Sequence, residues 1–247
     1  MNTLDLTTLT LTLGGHDSDS GEMCLLEAAA YQAGEPWSDR PQCVSLVLAA
    51  YGRSLNDALP DDTRQRLIPF IPRLLNTAGD GLDERRAYLA LDWLSRINLP
   101  AWLRLVPALT AQADLLAAGP EVVDLSTAAA SSALVRQAAS QANAAQAAVW
   151  ATTPATAEDA TWDATWDAAW NAAGVVDDGD AAWNAAGVID DGAAAGSVAG
   201  SAARVVAKAI AASDIAHDTA RDALAPTITV LQNSAIDLFD QMLSVTK

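Results

Sequence analysis

Residues 83–106 read DERRAYLALDWLSRINLPAWLRLV and carry a clear helical signal. Asp83 and Glu84 stand where a helix begins, because carboxylates are favourable near the positive end of the helix dipole. Large apolar residues then recur at helical spacing from Tyr88 to Leu94, and the helix is predicted to run through Arg96. Pro100 suits the start of a second helix, where its missing N–H costs nothing. Two consecutive helices with bulky apolar faces predict a helical core.

The same signal extends outward in both directions. Further helices are predicted at 22–33, 41–55, 109–118 and 126–151. The second of these opens at Pro41. Another helix begins at Pro60, and Pro69 and Pro72 predict a kink or a break in it because proline removes a backbone donor. The sequence therefore predicts an all-α fold.

The first twenty residues differ from this pattern, because leucine alternates with threonine there. Such a run fits a short strand that ends at Gly14 and Gly15, or an extended arm. No second convincing strand follows nearby, so a strand would need another copy of the chain as its partner. The run also lacks the basic n-region of a signal peptide.

Gly119 and Pro120 separate two differently composed halves of the chain. We predict three parts: an extended Leu/Thr arm (1–20), a compact helical domain (21–119) and an acidic, Ala/Trp-rich helical region (120–247). Two last helices are predicted at 193–223 and 226–245. Alanine favours helix but buries little area, so the large side chains of this region matter for its packing.

An imperfect tandem repeat marks the second half. The run WNAAGVVDDGD from Trp170 is echoed thirteen residues later by WNAAGVIDDG from Trp183. Trp162, Trp166 and Trp170 recur every four residues. Four residues turn a helix by only about 40° beyond one full turn, so these tryptophans form one stripe, and acidic residues form a second stripe beside it. Indoles at this spacing more often pack than bind a ligand, which makes the acids the better indication of a partner. The predicted partner-binding residues are Trp162, Trp166, Trp170, Asp163, Asp167 and Trp183.

The net charge of −17 is unevenly distributed. Residues 137–203 contain nine Asp or Glu residues and no Arg or Lys. Such a surface repels nucleic-acid phosphates and anionic lipid. A solvated face that keeps the protein soluble is the commonest role of such charge. Two sharper hypotheses are binding to a basic protein and imitation of nucleic-acid charge.

The residues with metal-binding chemistry form no specific pattern. His16, Cys24 and Cys43 suggest zinc, but the thiols are nineteen positions apart, without the CxxC spacing or a clear fourth ligand. The favoured interpretation is that Cys24 and Cys43 are buried thiols, because an intracellular protein would normally keep a disulfide between them reduced to free thiols. Five aspartates of the second half could bind a divalent cation through oxygen, but they lack the alternating positions of a calcium loop: Asp177, Asp178, Asp180, Asp190 and Asp191. We therefore predict no metal and no cofactor.

Three runs carry a resemblance: CLLEAAAYQAGEPWSDRPQCV from Cys24, LNDALPDDTRQRLIPFIPRLLNT from Leu55 and ERRAYLALDWLSR from Glu84. They resemble a group of uncharacterised proteins from actinobacteria and their phages, over residues 22–105. That group often continues into an alanine-rich tail with tryptophan. The resemblance implies a bacterial or phage origin without a mechanism. Arg40 stands where similar proteins often have histidine, which argues further against zinc.

No nucleophile motif, phosphate loop or dinucleotide fingerprint is present in the sequence. The first hypothesis is therefore a non-enzymatic protein-binding or assembly protein, in which an acidic helical surface contacts a protein partner. The second is a metal-dependent hydrolase or small-ligand binder that uses acids of the first half: Glu22, Glu27, Asp39 or Asp92. The third is a nucleic-acid mimic.

No run approaches the roughly 18 to 20 apolar residues that span a bilayer. We expect a soluble, cytoplasmic protein that neither enters a membrane nor binds nucleic acid directly. The sequence is compatible with both a monomer and a homo-oligomer.

Overall fold

The computed structural model describes residues 4–150 and 217–247. These residues form helices joined by turns, with no strand among them, so the predicted all-α fold is confirmed. The helices are α1 (Leu25–Ala33), α2 (Leu46–Ala58), α3 (Asp61–Arg64), α4 (Ile71–Leu74), α5 (Asp83–Trp93), α6 (Leu99–Leu103), α7 (Thr110–Ala117), α8 (Leu125–Trp150) and α9 (His217–Ser244). Short 3-10 helices lie at Gln65–Phe70 and Pro107–Leu109, and a π-helical turn, Leu94–Asn98, joins α5 to α6. None of the described helices combines the length and the apolar character needed to cross a bilayer.

Hydrogen bonds at the helix N-termini explain where α1 and α2 begin. The Glu27 carboxylate reaches back to accept a hydrogen bond from Cys24 N at 2.8 Å. In α2 the Ser45 hydroxyl accepts a hydrogen bond from Leu48 N at 3.2 Å. The predicted start of α2 at Pro41 is therefore wrong, because Ser45 supplies the capping oxygen that the first turn requires.

Proline has two different effects in this fold. The break predicted at Pro69 and Pro72 is confirmed, since a 3-10 helix and the short α4 replace a continuous α-helix there. Pro226, predicted as the start of the last helix, instead lies inside α9. Its missing N–H would have bonded the carbonyl of Asp222. Asp222 is exposed, so water can bond that carbonyl instead.

The Leu/Thr arm is extended and turned rather than a strand. Leu11 is the anchor of this segment, with only 1% of its surface exposed. The Leu11 amide donates to Gln65 Oε1 at 2.9 Å, and Gln65 Nε2 donates back to the Leu11 carbonyl at 3.0 Å. A side chain thus provides the hydrogen bonds that a neighbouring strand would have provided.

One apolar cluster includes residues from the arm and from every helix named above except α3. Within it, α9 packs on α2, α5 and α6, while α8 packs on α5 and α7. The boundary predicted at residues 119 and 120 falls between α7 and α8. Helices on both sides of that boundary contribute to the same cluster.

Phe239 of α9 is the aromatic centre of the cluster. Its buried ring stacks on Tyr51 at a centroid distance of 5.7 Å and meets Phe70 edge-on at 5.4 Å. The Tyr51 hydroxyl donates to the Ala235 carbonyl at 3.0 Å, and burial raises the pKa of Tyr51 well above its ordinary value. A Cβ at Gly52 would lie 3.3 Å from the Phe239 ring. The missing side chain at Gly52 therefore lets α2 approach α9 closely.

Arginines of the first half hold α9 and the residues after it. Each of four arginines reaches across the sequence to a different acceptor. Arg66 donates to Asn233 Oδ1, Arg73 to Asp240 and Ser244, Arg85 to the Thr246 carbonyl, and Arg86 to the Met242 carbonyl. The last helix is thus fixed by polar contacts along its length as well as by its apolar face.

Arg86 is the most buried of these arginines, with 2% of its side chain exposed. It donates to both carboxylate oxygens of Asp80, at 2.9 and 2.6 Å, and to Asp83 at 3.2 Å. Burial alone would raise the pKa of Asp80, but the hydrogen bond from Arg86 lowers it below its ordinary value. Asp83 also accepts a hydrogen bond from the Ser45 hydroxyl. One buried cation therefore joins the N-termini of α2 and α5 to the end of α9.

Candidate functional site

The predicted partner-binding residues lie outside the described residues: Trp162, Trp166, Trp170, Asp163, Asp167 and Trp183. The aspartates at 177–191 do so as well. We call residues 151–216 the acidic insert. The structure describes the two helices that it connects.

Those two helices are both anchored in the core. Small side chains of α8 are buried, with Ala138 and Ala142 fully covered. Beyond them Ala147 and Ala148 are exposed. On the far side of the insert, Leu224 of α9 is 1% exposed. Residues of both helices, which precede and follow the acidic insert along the chain, therefore belong to the same packed cluster.

His16 is the centre of a second candidate site, which we call the His16 cluster (Thr12, His16, Glu27 and Trp37). The backbone amide of His16 donates to Glu27 Oε1 at 2.6 Å, and His16 Nδ1 lies 2.9 Å from Glu27 Oε2. His16 Nε2 lies 3.1 Å from Thr12 Oγ1. Trp37 Nε1 donates to the His16 carbonyl at 2.7 Å. Residues distant in sequence thus converge on one histidine.

The electrostatics of this cluster depend on Glu27, whose side chain is 2% exposed. Burial alone would raise the pKa of Glu27, but hydrogen bonds from the amides of His16 and Cys24 lower it below its ordinary value of 4.5. The ionised carboxylate can only accept hydrogen bonds, so Nδ1 of His16 carries the proton between them. In the neutral ring, Nε2 then accepts a hydrogen bond from Thr12.

Thr12, His16 and Glu27 form a chain of hydroxyl, imidazole and carboxylate, and the same chain activates the nucleophile in many hydrolases. In this cluster, however, the Thr12 hydroxyl is also 3.3 Å from the Met23 carbonyl, a second acceptor for its single proton. The main chain of His16 makes two further hydrogen bonds: its carbonyl accepts one from Trp37, and its amide donates one to Glu27. The described contacts therefore assign the His16 cluster to holding the arm on α1.

Replacing Glu27 with glutamine is expected to lower the free energy of unfolding at pH 7 by about 1–3 kcal/mol, because buried donors lose their ionised acceptor. The folded-state pKa of Glu27 lies below 4.5, so its stabilisation is present above that pH and is lost as the pH falls through the folded value. Urea unfolding from pH 3 to 7 should therefore show the two proteins converging in acid.

Glu22→Gln is the matched control for this change. The Glu22 side chain is 60% exposed and its carboxylate lies 3.9 Å from His16 Nε2. We expect its effect on unfolding to stay within about 0.5 kcal/mol. A constant difference between Glu27→Gln and the wild type across this pH range would contradict the assigned ionisation of Glu27.

Cys24 contacts Glu27, which also bonds the His16 ring, whereas Cys43 lies beside Glu35. Both are free thiols. Burial raises the pKa of Cys24 to about 12, and burial together with the nearby Glu35 raises that of Cys43 to about 11. Such thiols remain protonated at neutral pH and are weak ligands and nucleophiles. Within residues 4–150 and 217–247, no three His, Cys, Asp or Glu side chains group at metal-binding spacing.

The acids of the hydrolase hypothesis are brought together only in part. Glu22 and Glu27 both lie beside His16. Asp92 instead pairs with Arg96 at 3.0 Å and accepts a hydrogen bond from Val122 N at 2.9 Å. The contact of Asp39 is made by its backbone carbonyl, which accepts from Arg53. These acids therefore serve different local contacts.

Sequence reasoning missed Gln65 and Asn56, which bind the main chain of the arm. Neither residue belongs to a motif, and their partners lie more than forty positions away. No family model, curated protein or solved structure matches the chain.

Proposed function

We propose that this protein is a non-enzymatic binding or assembly protein whose helical core presents the acidic insert to a basic protein partner. The observation that carries the proposal is the anchoring of both neighbouring helices, α8 and α9, in one apolar cluster. The core therefore holds the helix that precedes the acidic insert and the helix that follows it. Presentation of a binding segment is a role that such a core can fulfil without catalytic groups.

The charge distribution supports a basic partner. Residues 137–203 have nine acidic side chains and no basic one. In the core, by contrast, buried arginines bind nearby groups: Arg64 binds carbonyls of residues 56 and 59, and Arg86 binds Asp80. Complementary charge steers association and sets specificity. The insert therefore contributes the charge that a basic surface would recognise.

The test is a calorimetric titration of the full chain with an arginine-rich peptide as the probe. We expect the double variant Asp163→Asn/Asp167→Asn to bind the probe about three to ten times more weakly, because two charge contacts of up to about 1 kcal/mol each are lost. The salt dependence of binding should also become weaker.

The matched control is Asp17→Asn/Asp19→Asn, which makes the same change of net charge at exposed positions of the arm. We expect this variant to bind the probe like the wild type. Equal weakening by both double variants would mean that net charge alone attracts the probe, and would refute a specific site. No binding by the wild-type chain at low salt would refute the proposal as well.

The two other hypotheses fit the contacts less well. A hydrolase would need Glu27 as a working acid or ligand, yet both oxygens of this carboxylate hold backbone amides. A nucleic-acid mimic would use the same acids as the proposed function. The mimic and the proposed function predict different results in a competition experiment, because duplex DNA would compete with the insert for the partner only if the insert imitates nucleic acid.

A further inference from the structure

The arm lies in a groove that binds chiefly its main chain. We call this the arm groove, formed by Met23, Glu27, Asn56, Asp57 and Gln65. Gln65 bonds both the amide and the carbonyl of Leu11, as one strand bonds its neighbour. A single side chain thus recognises extended backbone whatever side chain that backbone carries.

The same kind of contact continues along the arm. Asn56 Nδ2 donates to the Thr12 carbonyl at 3.0 Å, and the Thr12 amide donates to the Met23 carbonyl at 3.0 Å. Further along, the Gly14 amide donates to Asp57 Oδ1 at 2.9 Å. Asn56 is itself fixed, because it is fully buried and its oxygen accepts from Leu25 N at 3.2 Å. The groove is therefore a preformed series of main-chain partners.

Side-chain recognition in the groove rests mainly on Leu11. It is 1% exposed, whereas Leu4, Leu6 and Leu9 are only partly buried against the cluster. Leu13, two residues further on, is 60% exposed. The groove thus accepts an extended segment with one well-placed leucine.

We propose that the arm groove also accepts the arm of a second copy of this chain, so that two copies exchange arms. Every contact above is the same whether the arm comes from its own chain or from another, because the two chains are identical. Residues 17–21, which join the arm to α1, are exposed, and Gly21 has a φ of 78°. Exchange of identical elements is a low-cost route to a dimer.

The two forms differ in how they depend on concentration. Within one chain the arm has an effective concentration on the order of millimolar, so its own groove is filled first in dilute solution. A second copy competes only when the protein itself reaches that range. This assembly uses the arm and not the acidic insert, so its failure would leave the proposed function intact.

The test is refolding of the full chain from denaturant at about 1 µM and at about 1 mM, below and near the effective concentration of the arm. Native mass spectrometry then measures the dimer fraction. We expect the wild type to be monomeric in the dilute sample and dimeric in a substantial fraction of the concentrated one. Leu11→Asp should abolish the dimer, because a carboxylate cannot occupy the buried position.

Leu13→Asp is the matched control, since it introduces the same charge at an exposed position two residues away; we expect it to dimerise like the wild type. If Leu11→Asp does not fold by circular dichroism, Leu11→Ala takes its place. A peptide of residues 1–16, added in excess during refolding, should lower the wild-type dimer fraction at least tenfold. The proposal is overturned by a monomer at both concentrations, by a dimer that survives the Leu11 substitution, or by a dimer that the peptide leaves unchanged.

Discussion

Replacing Arg86 with methionine is expected to lower the free energy of unfolding by about 3–5 kcal/mol, because breaking a buried ion pair leaves its partners unsatisfied. Asp80 would lose both of its hydrogen bonds from the guanidinium, and the Met242 carbonyl would lose its donor. Methionine has similar length and no charge, so the change removes the polar contacts with little loss of volume. Urea denaturation followed by circular dichroism measures the effect.

The same variant should respond differently to acid. Arg86 lowers the pKa of Asp80, so the stabilisation from this carboxylate is present at neutral pH and is lost as the pH falls through its folded value. Without Arg86, this part of the acid sensitivity should disappear. The proteins with and without Arg86 should therefore differ less at pH 3 than at pH 7.

Arg104→Ala is the control for the loss of an arginine. Arg104 and Asp114 form a pair at 3.0 Å whose side chains are 47% and 65% exposed. Exposed pairs of this kind contribute little, so we expect a loss below about 1 kcal/mol. Equal losses for Arg86 and Arg104 would show that burial does not strengthen the Arg86 contacts.

Replacing Phe239 with alanine is expected to lower the free energy of unfolding by about 3–5 kcal/mol, because it leaves a cavity at the centre of the core. The ring is fully buried between Tyr51 and Phe70. Loss of the ring also removes the stacking contact that it makes with Tyr51 of α2. Thermal unfolding gives the size of the effect, and hydrogen exchange should show the largest loss of protection in α9.

Val230→Ala is the control on the same helix. Val230 is 63% exposed, so its truncation should change stability by no more than about 0.5 kcal/mol. If Phe239→Ala were as mild as Val230→Ala, α9 would not be held by its apolar face. The arginine contacts would then have to account for its position.

The helices with local signals were predictable from sequence. Asp83 and Glu84 correctly indicated the start of α5, and the prolines at 69 and 72 correctly indicated a break. The start of α2 was missed because proline is a weaker signal than the capping hydroxyl four residues later. The Cys24-x-x-Glu27 spacing does carry a capping pattern, which would have placed Glu27 at the backbone of α1 rather than among catalytic acids.

The parts that depend on distant residues were not predictable in the same way. Arg86 reads as one charge among several, and its acceptor at Met242 lies 156 positions away. His16 was grouped with cysteines by residue type, whereas the fold places it on Glu27. Composition distinguishes two differently built halves, and it does not show that buried leucines and Phe239 of α9 belong to the same apolar cluster as residues of the first half. Local spacing contains no information about these pairings.

The position of α9 has a consequence for the order of events during synthesis. Tyr51, Arg86 and Trp93 each bond to α9, at separations of 184, 156 and 141 positions. At about 5–20 residues per second, the ribosome takes on the order of 5–20 s to proceed from the end of α8 to Met242. For that interval α2 and α5 exist without the helix that covers them. A nascent chain that has not yet reached Met242 therefore exposes apolar residues of α2 and α5 that α9 later covers, and surface of this kind is what chaperones bind.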